Sequence, residues 1–264
     1  MTTTTYDPKG IPQLKWAGLA GLFLLPLCWW LFILYVISPL LLPWTTTPEG
    51  EVNGYALSLT ILAGSLFEFL LAIYVLRREG QRFTWSALRA RLNLRWGGWK
   101  AWGLFIALFV VAFALTQPLL PLGKITATVA PPPAWFPASL HPLKETNGLE
   151  DALSGVEFKG NYMFLLLFLF SSAMSIVGTD TWYRGVLIPK LHGLFGRWAW
   201  LAGGLVFTLR YLYVWWRIQE ALLLGIAGAF MFGPMGSLPF AMLAHFFGNF
   251  ALTWPLVTKL VLFG

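Results

Sequence analysis

The chain has little charge. Of its 264 residues 58% are hydrophobic and only 11% charged, where a soluble domain carries about 25% charged residues. That shortage excludes an ordinary soluble globule and makes this a polytopic membrane protein. A single cysteine, Cys28, excludes an internal disulfide and any Cys-x-x-Cys metal site. Three histidines, at 141, 192 and 245, have no metal-binding spacing. There is no internal repeat, and no low-complexity stretch beyond the threonines at the start. The net charge of +7 therefore reports basic loops against anionic lipid rather than nucleic acid. The 15 tryptophans mostly flank apolar runs, as expected of residues at a membrane interface.

The runs themselves predict an all-α polytopic membrane protein with about seven transmembrane helices. The first run, 16–42, is too long for a signal-peptide core; it reads as a helix kinked near Pro26 and ending around Pro39. A second spans 55–76. The segment 77–100 holds Arg77, Arg78, Arg82, Arg89, Arg91, Arg95 and Lys100 against Glu79 alone. By the positive-inside rule it is cytoplasmic, and the N-terminus with it. Within it Trp85, Leu88 and Leu92 suggest an interfacial amphipathic helix. A third helix covers 99–120. The segment 121–160 is polar and proline-rich, and falls outside as a lid or docking surface. Further helices are expected at 161–178 running into 175–191, at 198–213, at 221–232 and from 238 to about 257. In the sixth, Gly225 and Ala229 form a small-xxx-small pair that permits close packing. This divides the chain into a three-helix part (1–122), an outer segment (123–160) and a C-terminal core (161–258).

Polar groups at membrane depth are costly unless they pair or face a cavity. Glu68 lies inside the second helix: either a hydrogen-bonded carboxyl or an acid reaching a central cavity. Arg210 needs a counter-ion, and Asp180 and Glu68 are the candidates. Asp180 and Arg184 are four apart, hence on one helical face, and so are His245 and Asn249.

In order, the polar motifs are Thr179-Asp180-x-x-x-Arg184-Gly185, Phe207-x-x-x-Tyr211 and His245-x-x-x-Asn249. Over roughly 164–250 this set resembles the CAAX protease and bacteriocin-processing (CPBP) family of intramembrane proteases. Flanking stretches such as YRGVLIPKL and LPFAMLAHFFGNF are similar in style. The resemblance implies a CPBP-like helical core in the C-terminal half. Family members carry two adjacent glutamates followed by xxxR, then FxxxH, then HxxxN. The first glutamate and the middle histidine are held to activate water, and the last histidine and the asparagine to stabilise the oxyanion. Here Arg184, Phe207, His245 and Asn249 match. Thr179 stands at the first glutamate, Asp180 at the second and Tyr211 at the middle histidine. A threonine is no base at neutral pH, and a phenol donates a hydrogen bond before it gives up its proton.

The resemblance therefore implies a catalytically degenerate member, acting as a binding or structural subunit of a membrane complex. The alternative is an active endopeptidase of prenylated or transmembrane peptides, with Asp180 as base, aided by Glu68, and His245 and Asn249 as oxyanion donors. Asp180, Arg184, Tyr211, His245 and Asn249 are expected to converge on one cavity near the cytoplasmic side. The expected partners are membrane lipids and a membrane-protein complex, with no nucleic acid. No cofactor is called for; His245 as an axial ligand to haem or a chlorin is the lesser reading. The expected location is the inner membrane of a prokaryote.

Overall fold

A computed structural model describes residues 10–38, 40, 53–133, 136, 142–143 and 155–264. Among them every regular element is helical. The first helix, α1 (Trp16–Phe32), runs through Pro26 into a wide turn at Ile33–Ile37, so its irregular turn lies beyond the proline. α2 (Gly54–Arg78) follows, capped by the Asn53 side chain, which accepts from Tyr55 N at 2.8 Å. α3 (Trp85–Arg91) is the short amphipathic helix. It turns Leu88 and Leu92 to the core and leaves Trp85 exposed. α4 (Trp99–Thr116) continues through a tight turn, Gln117–Leu119, into α5 (Leu120–Val129). The start of the proline-rich segment is thus helical. Pro118 and Pro121 fall in first turns, where a missing N–H costs nothing. Most of 134–154 lies outside the described residues.

α6 (Tyr162–Asp180) is followed by a wide π-type turn, Thr181–Leu187, and a last helical turn, Ile188–Lys190. α7 (Ala199–Leu209) passes into an irregular 3₁₀ segment, Arg210–Arg217, broken at Val214. α8 (Ile218–Phe232), α9 (Leu238–Asn249) and α10 (Thr253–Phe263) complete the chain. Among the described residues four helical stretches are long and apolar enough to cross a membrane: 16–37, 54–78, 99–129 and 162–190. A fifth is possible by length if α9 and α10, bent by 58°, act as one. Among the described residues the expected count of seven is not confirmed: α7 and α8 have only 11 and 15 residues.

Small residues set the close crossings. Gly204 of α7 meets Ala229 of α8, and Gly225 meets Phe207, as the small-xxx-small spacing predicted. α2 and α6 touch where Gly178 lies on the Ser65 carbonyl. A methyl group there would fall on backbone, which cannot swing aside. Gly178→Ala should therefore cost about 1–3 kcal/mol, the usual range for overpacking. Unfolding in detergent checks this; an unchanged midpoint would mean that the crossing is looser than it looks.

Glu79, the one acid of the basic segment, ties three elements together. It pairs with Arg91 at 3.0 Å and Lys190 at 2.8 Å. Arg91 also donates to Gly185 O at 2.8 Å, and Lys190 to Pro12 O at 3.0 Å. The ends of α2, α3 and the α6 extension are thereby held together.

Candidate functional site

Asp180 closes α6 and is fully buried. Its Oδ1 pairs with Arg184, and its Oδ2 lies 3.1 Å from His245 Nδ1. A carboxylate already paired with an arginine is an acceptor, so Nδ1 carries a proton, and in the neutral ring Nε2 then keeps its lone pair. The wide turn after Asp180 carries the Arg184 guanidinium over the Phe207 ring, at 4.6 Å, and against Gly228. Such turns inside helices recur at functional sites.

Thr179, also fully buried, points the other way. Its hydroxyl donates to Glu68 Oε2 at 2.6 Å. Glu68 Oε1 accepts from Trp30 Nε1 at 2.9 Å and pairs with Arg210 Nε at 2.9 Å. Of the two acids nominated for Arg210, the structure joins it to Glu68. The guanidinium lies between 5.1 and 6.0 Å from five ring centres: Trp30, Tyr183, Phe207, Tyr211 and Tyr213. Such faces attract a cation and supply what water would otherwise give it. Gly64 allows Trp30 to sit this close to α2, since a Cβ there would meet the indole ring.

Two adjoining cavities lie in front of these pairs, of about 400 and about 230 Å³. Tyr211, Arg217, His245 and Asn249 line both. Arg184 reaches the smaller and Arg210 the larger. Thr179, Asp180 and Glu68 reach neither; they stand behind the wall. Asn249 Nδ2 donates to the His245 carbonyl at 3.1 Å, one turn back, which leaves Oδ1 and one N–H for the cavity. The residues nominated from the sequence thus gather in one region in two layers: Tyr211, His245, Asn249 and Arg184 on the wall, Asp180 and Thr179 behind it. Glu68 is the hydrogen-bonded carboxyl, not the acid that reaches a cavity.

The sequence reading passed over Arg217 and Glu220, which pair at 2.9 Å and face the smaller cavity. Two opposite charges three apart at the head of an apolar helix were the available signal.

Residues 161–251 match the family model described as "Type II CAAX prenyl endopeptidase Rce1-like". No curated protein sequence and no solved structure matches the chain. The matched segment, about a third of the chain, contains all three polar motifs and supports membership of the CAAX protease and bacteriocin-processing family.

Proposed function

We propose that this membrane protein is a catalytically silent member of its family, which uses its cavity to hold an amphiphilic ligand, alone or as a subunit of a membrane complex. The observation that supports this is the direction of the carboxylates. Both Glu68 oxygens are occupied, by Trp30 and Arg210 on one side and Thr179 on the other. Both Asp180 oxygens are occupied by Arg184 and His245. Neither acid lines a cavity where water could meet a substrate, so Asp180 does not suit the role of general base. Exposed aromatic and aliphatic side chains such as Trp99, Leu70 and Val110 suit contact with lipid. The basic segment 77–100 argues for a cytoplasmic position of that loop, in a prokaryotic inner membrane.

One observation favours a second reading. His245 is oriented by a carboxylate through Nδ1 and lines the cavity, the arrangement of a histidine general base. Incubating the protein in lipid vesicles with prenylated and transmembrane peptides separates the two. The binding reading expects no cleavage. Turnover that vanishes in both His245→Ala and Asp180→Asn would replace it with a peptidase whose base is His245.

A further inference from the structure

The charges around the cavity cancel in pairs. Arg184 is matched by Asp180, Arg210 by Glu68 and Arg217 by Glu220. Arg184, Arg210 and Arg217 reach the cavities only as halves of these pairs, and Glu220 lines the smaller one beside its partner. The other polar groups facing the cavities are uncharged. The Tyr211 hydroxyl lines both cavities, with no hydrogen-bond partner within the protein among the described residues. His245 Nε2 is an acceptor, because Nδ1 is committed to Asp180. Asn249 offers Oδ1 and its second N–H. A phosphate or carboxylate placed here would find each of these arginines already paired with an acid, and would give up its hydration without an unpaired cation to receive it. A hydroxyl can donate to Nε2 or Oδ1, and a neighbouring carbonyl can accept from Tyr211.

The shape adds a second constraint. The polar wall is shared by two cavities, so a ligand centred on it has room on both sides. Leu34, Leu57 and Ile61 line the larger arm; Phe113, Leu120 and Leu224 line the smaller. Resting on the binding reading, we propose that the site takes an uncharged lipid of the diacylglycerol kind. Its hydroxyl and ester head lies against Tyr211, His245 and Asn249, and one chain enters each arm. Mostly apolar pockets with a few placed polar groups are the usual form of such sites.

The test uses the full chain in detergent and three probes: dioctanoylglycerol, dioctanoylphosphatidic acid and n-octanol. Binding is read by native mass spectrometry and equilibrium dialysis. Dioctanoylglycerol should bind one to one and at least about tenfold more tightly than either other probe, which corresponds to ~1.4 kcal/mol. Tyr211→Phe should cost about tenfold, and Leu57→Trp or Leu224→Trp, each filling one arm, at least as much. Tighter binding of the phosphatidic acid would overturn the neutral head and leave the binding reading standing. Octanol binding as well as the diglyceride would overturn the two arms. Binding of no probe, or binding that none of the three variants changes, would overturn this assignment and the binding reading together. The comparison among probes uses the unmodified protein, so it holds even if a variant folds poorly.

Discussion

Glu68→Ala should destabilise the protein by about 3–5 kcal/mol, the range for removing one partner of a buried ion pair. The variant would leave Arg210 without its counter-ion at a buried site, and Trp30 and Thr179 without their acceptor. A guanidinium cannot shed its proton to escape that situation. The reverse change is gentler. Arg210→Met leaves a carboxyl that can take up a proton and keep Thr179 and Trp30 as partners, so its cost should be clearly smaller. The double variant Glu68→Leu with Arg210→Met removes both charges. Replacing a buried pair by apolar side chains of similar size is often neutral, so the double should recover much of the loss of Glu68→Ala. The measurement is a double-mutant cycle of Glu68→Leu, Arg210→Met and the double variant, on unfolding in mild detergent titrated with a denaturing one. Coupling well above ~0.5 kcal/mol is expected between residues in contact. Simple addition of the two single costs would mean that Glu68 and Arg210 do not act as a pair.

That pair also shows how far the sequence could be read. Hydropathy was enough to place Glu68 and Arg210 at membrane depth and to require a partner for the arginine. They could not choose between Glu68 and Asp180, because both are acids on other helices. The choice is made by packing: Gly64 and Gly178 let α2 lie close to α1 and α6, and Asp180 is already taken by Arg184 and His245. The long first, second and fourth stretches were legible because lipid-facing helices are apolar all round. α7 was expected to run to 213, yet it ends at Leu209, where the irregular segment Arg210–Arg217 begins; the break at Val214 has no signature in composition. The wide turn at Thr181–Leu187 is equally silent, since its residues would suit an ordinary helix. It is the turn that carries Arg184 onto Phe207. The order and spacing of the three motifs was the most informative signal, because each spacing of four survives whether the turn between is regular or wide.

The unmodified protein should show no peptidase turnover, and restoring it should take three changes rather than two. The family resemblance assigns water activation to a glutamate and a histidine at positions 179 and 211, here Thr179 and Tyr211. General-base assistance is worth about 10² to 10⁴ in rate, and groups that act as a unit lose most of their effect when either is missing. From sequence alone, Thr179→Glu with Tyr211→His looks sufficient. The structure says otherwise. A glutamate at 179 would bring a second carboxylate to the place where the Thr179 hydroxyl now meets Glu68 at 2.6 Å. Two carboxylates would then share Arg210, and like charges in one buried site repel. The double variant should therefore be less stable than the parent, with its new glutamate held at Arg210 and no better as a base. Adding Glu68→Thr moves the single carboxylate from α2 to α6, leaves Arg210 one partner, and frees position 179 to turn toward the cavity. The triple variant should fold better than the double and be the only one of the three proteins to cleave a prenylated or transmembrane peptide above background. A double variant that is as stable as the parent and cleaves as fast as the triple would show that Glu68 does not occupy the place of the missing glutamate.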